Sequence, residues 1–377
     1  MNKFFKIFLL IILVFTSIQC EEYSTDLSIN KWIIREFDYP IPLIADLRND
    51  GIERSYITQD DKLFELLNTN GEWETSEICD MDLWPVIPAK CYPDGNVRLY
   101  GVLDESIYEI EYLQSNWSVK PIYTLKNTYP DPTICLRKGD TRNEGFESIF
   151  LVYWRTNSIP VFQWKPEVYQ VLTELSCRNG KWEESFVDTT RSNLETIVDM
   201  TVGNGRGEGK DCIYLIDQFT ELSEYCYEAQ SGWQRTGMGI LKPEMLYADT
   251  ISKPVIAIFP AHNGQPSLFV RTSSNLYELF FREGNWEKSF FGSGTINMFH
   301  GGTGRNDGIC RIYCAEGDPD QYGSFLEFTF FNGSWNETTN IRMNTLTELA
   351  VGPGRGDGIH RIYIRQADKG TFELTYK

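Results

Sequence analysis

Two sets of charged residues recur along the chain at spacings that invite a chemical reading. Arginine stands three residues after a turn glycine at Arg54, Arg98, Arg311 and Arg361. Glutamate stands eight residues before a tryptophan at Glu65, Glu109, Glu174, Glu278 and Glu327, with Tyr225 at that place in one copy and Glu373 at the matching place near the C-terminus. Carboxylates facing guanidinium groups are material for acid and base chemistry. The repeated tryptophans Trp73, Trp117, Trp182, Trp233, Trp286 and Trp335 offer flat apolar surfaces of the kind sugars stack on. Against these readings stands the repetition itself, because a catalytic group is needed once and a scaffold residue is needed in every copy. The three histidines, His262, His300 and His360, fall on three different copies. The chain has no Gly-x-Ser-x-Gly elbow, phosphate-binding loop or His-Glu-x-x-His motif. Its carboxylates are too numerous for any pair to be singled out as an acid and a nucleophile.

The elements that carry these residues derive from one repeated unit. An Asp-Gly-type turn appears at Asn49-Asp50-Gly51, Asp94-Gly95, Asn143-Glu144-Gly145, Gly207-Glu208-Gly209, Asn263-Gly264, Asn306-Asp307-Gly308 and Gly356-Asp357-Gly358. Five residues after each glycine comes an aromatic: Tyr56, Tyr100, Phe150, Tyr214, Phe269, Tyr313 and Tyr363. Six copies end in a Gly- or Asn-containing turn leading to tryptophan, as in Asn332-Gly333-Ser334-Trp335, and Asn-Gly favours a tight hairpin. Each unit therefore reads as strand A, Asp-Gly turn, strand B, variable loop, strand C, Asn-Gly turn and strand D, which is one propeller blade. The fold expected is all-β: a seven-bladed β-propeller of four-stranded antiparallel blades.

The seventh copy stops after its strand C, whereas Lys31-Trp32-Ile33-Ile34-Arg35 stands alone near the N-terminus. The N-terminal strand is thus expected to pair into the last blade at Thr371–Lys377 and close the ring, removing open sheet edges. Hairpin arithmetic further sets Arg54 near Glu65 and Arg361 near Glu373 as cross-strand structural pairs. In the fourth copy Cys212 holds the arginine place and Cys226 lies almost opposite, which makes them the candidate disulfide. Cys310 and Cys314, four apart in one strand, lie ~13 Å apart and cannot bridge each other.

Residues 1–20 combine Lys3 and Lys6 with an apolar run from Ile7 to Phe15, the pattern of an export signal. Residues 21–377 are then a single propeller domain. Cys20 resembles the lipid-modified residue of a bacterial lipoprotein, although Gln19 stands where that family has a small residue, so lipid anchoring and plain secretion both remain open. The formal charge of −18 argues against nucleic acid as a partner and keeps an exported chain soluble. No cofactor is indicated. No metal is indicated either: the Asp-Gly turns vaguely resemble the calcium loops of FG-GAP propellers, but arginine stands at Arg311 where that family has its closing aspartate.

The layout seen in Arg98-Leu99-Tyr100, Asn275-Leu276-Tyr277-Glu278-Leu279 and Gly284-Asn285-Trp286 resembles tachylectin-2-like and fucose-lectin-like propellers. The resemblance implies carbohydrate binding, but those lectins have five or six blades, so their pockets do not transfer. A ligand site should use residues that break the repeat. The third copy does so with an insertion at about 153–170, where Trp154, Arg155, Trp164 and Lys165 combine aromatic faces with polar donors. The function expected is a non-enzymatic binding module for a glycan or an extracellular or surface protein. The alternatives are a polysaccharide-active hydrolase or lyase on a propeller, or a structural envelope protein.

Overall fold

The computed structural model of the chain describes residues 27–29, 31–156, 168–189, 196–241, 254–261, 264–272, 275–293, 296–317, 322–344, 346–367 and 369–377. The export segment, Cys20, Trp164, Lys165, His262 and Asn263 lie outside the described residues. Seven antiparallel sheets succeed one another in chain order, six of four strands and one of five, making a seven-bladed β-propeller. Blades one to six span 43–79, 86–124, 128–189, 197–240, 255–293 and 296–344. The seventh sheet joins Leu346–Gly352, Arg361–Gln366 and Gly370–Tyr376 to the N-terminal strands Trp32–Phe37 and Leu27–Ile29.

The ring closes as the orphan N-terminal segment requires. Trp32–Phe37 runs antiparallel to the last strand, with Trp32 opposite Tyr376 and Phe37 opposite Thr371. Trp32 is fully buried, its indole edge-on to Tyr313 of blade six at 6.4 Å and to Tyr376 at 5.0 Å. Apolar cores lie between blades, one in each of the seven seams, and the core that holds Trp32 unites blades six and seven.

The repeated tryptophans serve these seams. Each turns an edge toward the strand B aromatic of the preceding blade: Trp117 to Tyr56 at 6.2 Å, Trp182 to Tyr100 at 5.6 Å, Trp233 to Phe150 at 6.0 Å, Trp286 to Tyr214 at 5.7 Å and Trp335 to Phe269 at 5.6 Å. In the remaining seam Phe37 stands between Tyr363 and Trp73. Edge-to-face contact suits the ring quadrupoles and fixes the angle between blades.

The charged repeat differs in detail from the sequence expectation. The residue opposite Glu65 is Tyr56, and Tyr363 lies opposite Glu373, so Arg54 and Arg361 sit diagonal to their glutamates at 3.8 and 3.5 Å. In blade four the place belongs to Glu224, opposite Tyr214, and Tyr225 is one residue out of register. All seven glutamates are buried to 1% exposure or less. The principal partner is another arginine, three residues before the turn glycine. Arg48 grips Glu65 through Nε at 2.9 Å and through Nη2, and the same two-point contact joins Arg142 to Glu174, Arg206 to Glu224, Arg305 to Glu327 and Arg355 to Glu373. The guanidinium then lies over an aromatic of the next blade: Arg48 over Tyr112 at 4.6 Å, Arg142 over Tyr227 at 3.9 Å, Arg206 over Phe281 at 4.8 Å and Arg305 over Tyr376 at 4.4 Å. Small residues make room for this turn. A Cβ on Gly354 would stand 2.3 Å from Ser55 Oγ and 2.7 Å from the Tyr363 hydroxyl.

The arginines after the turn close the turn itself. Arg54 donates to both carboxylate oxygens of Asp50, and Arg311 and Arg361 do the same to Asp307 and Asp357, so a guanidinium occupies the cradle where a calcium loop would present its oxygens. Asparagine in the turn reaches the next blade: Asn49 Oδ1 accepts from the Val97 amide at 2.6 Å while its Nδ2 donates to the Val97 carbonyl, and Asn306 clamps His360 likewise.

Trp32→Ala should lower the unfolding free energy by about 3–5 kcal/mol, the cost of emptying a large buried aromatic site, read from urea unfolding followed by tryptophan fluorescence. A pH dependence is also expected. The hydrogen bonds from Arg54 hold the Asp50 carboxyl down at about 2, and Asp94, Asp307 and Asp357 are lowered by their own arginines. A depressed folded-state value means stability that is present above the unfolded carboxyl's pKa, near 4, and is lost as pH falls from there toward 2. Replacing all four with asparagine should lower the urea midpoint at pH 7 and flatten its fall between pH 4 and 2.

Candidate functional site

The two ends of the ring differ. A–B and C–D connections leave one end: the A–B connections run eight residues in six blades and five in the other, and the C–D turns are tight, built on left-handed residues such as Asn332 (φ 52°) followed by Gly333 (φ 81°). B–C and D–A connections leave the other end, and the long ones, 157–167 in blade three and 242–253 between blades four and five, belong to that set. Blade three also stands taller than its neighbours. Its strands B and C run Ser148–Thr156 and Val168–Arg178, whereas strand B of blade four is only Cys212–Asp217.

Alternation along strand B decides what Trp154 and Arg155 can do. Trp154 lies opposite Gln170 and Arg155 opposite Tyr169, so the two side chains leave opposite faces of the sheet. Toward blade two, Arg155 is ion-paired with Glu184 and lies over the Tyr153 ring at 5.0 Å. The Tyr153 and Tyr123 hydroxyls donate to the same carboxylate at 2.8 and 2.9 Å. Burial, with Glu184 alongside, pushes the Tyr123 phenol up to about 12. On the other face Gln170 exchanges two hydrogen bonds with the backbone of Ile197, which ties the tall hairpin to blade four. Arg155 is therefore part of a seam, and Trp154 does not share a surface with it.

The Ile197 face opens into a cleft between blades three and four, about 110 Å³ in volume. Asp188, at the end of strand D of blade three, accepts a hydrogen bond from the Tyr225 hydroxyl at 2.6 Å, and Arg235 Nη1 approaches the same oxygen at 3.9 Å. Arg235 also donates to Ser223 Oγ at 3.2 Å. Asp217 holds the floor of the B–C turn by accepting from the amides of Phe219 and Glu221, both at 2.8 Å. The cleft thus presents carboxylates, three hydroxyls (Thr189, Ser223 and Tyr225) and one guanidinium around a small space. Two apolar side chains are exposed at this end of the ring: Phe219 in the B–C turn of blade four (51% exposed) and, away from the cleft, Trp84 on the connection from blade one to blade two (74% exposed).

Behind this cleft, blade four is reinforced by a disulfide between Cys212 and Cys226, whose Cα atoms are 4.6 Å apart. Cys212 stands where four other blades have the turn-closing arginine. The described histidines do not join the cleft. His300 is half-buried with its ring Nδ1 2.7 Å from the Gly301 carbonyl, and desolvation lowers its pKa. His360 contacts Thr303 at the turn end.

Sequence reasoning did not find Asp188, Ser223, Tyr225, Arg235 or Trp84. The first four come from strands of two different blades with no common spacing. The signal that was available was negative: Tyr225 interrupts the glutamate series, and Trp84 belongs to no repeat position.

No protein-family model and no curated protein sequence matches the chain. Among solved structures, BBS1N in complex with ARL6DN aligns over 91% of this chain and 93% of its own at a TM-score of 0.51 and 12% identity. The fucose-specific lectin from Aleuria aurantia aligns over 78% and 92% at 0.42 and 15%, and the SapL1 lectin in complex with alpha methyl fucoside over 77% and 92% at 0.41 and 14%. At these identities the likeness to the first is one of fold alone, and the two lectin alignments are too loose to carry a functional argument.

Proposed function

We propose that the chain is an exported, non-enzymatic binding module whose ligand is a carbohydrate, held between blades three and four at the end where the B–C and D–A connections leave. The observation that carries this reading is the cleft of Asp188, Tyr225 and Arg235. A sugar edge offers alternating hydroxyl donors and acceptors, and such a site needs acceptor-only carboxylates, a donor-only guanidinium and amphoteric hydroxyls within one small space. All three are present, pre-positioned by contacts with one another, so little ordering entropy is left to lose on binding. The adjacent exposed aromatic ring of Phe219 supplies an apolar face of the sort that accompanies polar groups in ligand sites. Export rests on the basic and apolar pattern of residues 1–20.

A protein ligand is the second reading, favoured by the highly exposed Trp84, since tryptophan is enriched among residues that anchor protein partners. The two separate cleanly. On a glycan array the carbohydrate reading expects saturable binding that Arg235→Ala and Asp188→Asn each weaken at least tenfold, while Trp84→Ala leaves it unchanged. No binding to any glycan, or binding indifferent to both cleft substitutions, overturns the assignment. Turnover of a bound oligosaccharide would replace it with an enzyme.

A further inference from the structure

We propose that the chain carries N-linked glycans at Asn332 and Asn116, on the turn end of blades six and two, and none at Asn336. The inference rests on the proposed export, because the modifying enzyme acts only on chains that enter a secretory compartment. Three Asn-x-Ser/Thr triplets occur, Asn116-Trp117-Ser118, Asn332-Gly333-Ser334 and Asn336-Glu337-Thr338, and the structure treats them differently.

Asn332 is the first central residue of the C–D turn of blade six, in a left-handed conformation that projects its side chain from the tip of a hairpin, and both it and Ser334 are exposed. Asn116 opens strand D of blade two just after the Gln114–Ser115 turn. Trp117 is turned into the seam against Tyr56, so alternation sets Asn116 and Ser118 together on the outer face, where both are exposed. The Asn116 amide donates to a single acceptor, the Gln114 carbonyl at 3.2 Å. A glycosylated amide keeps one N–H, so this bond can persist.

Asn336 is committed. Its Nδ2 donates to the Phe331 carbonyl at 3.2 Å and to the Ser334 carbonyl at 2.9 Å, bracing the same turn that carries Asn332, and a secondary amide has only one N–H for the two. The Thr338 hydroxyl of its triplet donates to the buried Glu327 carboxylate at 2.6 Å. The two favoured sites also lie beside exposed apolar side chains that a sugar would cover, Phe331 (65% exposed) next to Asn332 and Leu113 (48%) three residues before Asn116. The Cys212–Cys226 disulfide suits the oxidising compartment in which this modification occurs. In the reaction Asn Nδ2 displaces a lipid-linked diphosphate from C1 of an oligosaccharide: the N–C bond forms, the C–O bond to the diphosphate breaks and the amide gives up one proton. Both glycans would stand at the turn end, opposite the cleft.

The full chain, expressed in cultured eukaryotic cells with its own leader and in parallel with a substituted strong secretory leader, tests this directly. Treatment with peptide N-glycosidase in ¹⁸O-water marks each occupied asparagine by conversion to labelled aspartate, read by peptide mass spectrometry. The expected result is label at Asn332 and Asn116, none at Asn336, and two mobility steps, of which Asn332→Gln and Asn116→Gln each remove one. Absence of label at Asn332 or Asn116 behind the substituted leader, or label at Asn336, overturns the assignment. Label behind the substituted leader but not behind the native one leaves the sites standing and overturns export instead.

Discussion

A buried carboxylate in strand C of every blade is the constraint around which this ring is organised. A carboxylate removed from water must be matched by charge and by hydrogen bonds, and stripping the partner from such a pair typically costs about 3–5 kcal/mol. Five blades answer with the arginine three residues before the turn glycine. That one side chain bonds its own blade's glutamate, and in four of the five it lies over an aromatic ring of strand C, or its equivalent, in the next blade; in the fifth, Arg355 approaches Trp73 at 5.4 Å. Charge neutralisation, turn shape and blade spacing are therefore coupled through a single residue. Blade two reaches the same end differently, with Lys120 on Glu109 at 2.7 Å, and in blade five Trp335 Nε1 donates to Glu278 at 2.7 Å from across the seam. The demand is fixed and the means of meeting it vary.

This explains which parts of the architecture could be read from residues alone. Aromatics five residues after the turn glycine and tryptophans opening strand D recur at invariant offsets, because every seam needs the same edge-to-face contact, and the missing last strand in the seventh copy points directly at Trp32. The charged pairing was harder to place. A two-residue turn at Asp60–Asp61 sets Tyr56 opposite Glu65, so a turn centred on Asp60 alone shifts the ladder and brings Arg54 forward from its diagonal position. One additional residue between strands C and D of blade four likewise moves a count back from Trp233 onto Tyr225 instead of Glu224. Since the side-chain period is two, an error of one residue exchanges the faces of a strand.

The cleft was not legible for a different reason. Its groups come from the end of one blade and from strands B, C and D of the next, joined only by the angle at which two sheets meet. Trp154 and Arg155, adjacent in sequence and chemically apt, are separated by the same alternation that makes strands useful. Residues that break a repeat mark where function can reside, but which of them converge is a property of the seam and not of the insertion.

Closure by Trp32–Phe37 also sets an order of events. The strand leaves the ribosome long before its partner Gly370–Tyr376, so the contact between residues 32 and 376 must wait for every blade between them. Until then two large aromatics, Trp32 and Phe37, have no seam to enter, and the half-built array leaves an apolar sheet face uncovered on blade one and another on whichever blade is newest. Folding of the blades can run alongside translation, whereas sealing of the ring waits for the seventh blade and is a step of high sequence separation, and a nascent chain of this kind is one that holding chaperones would be expected to engage at Trp32–Phe37.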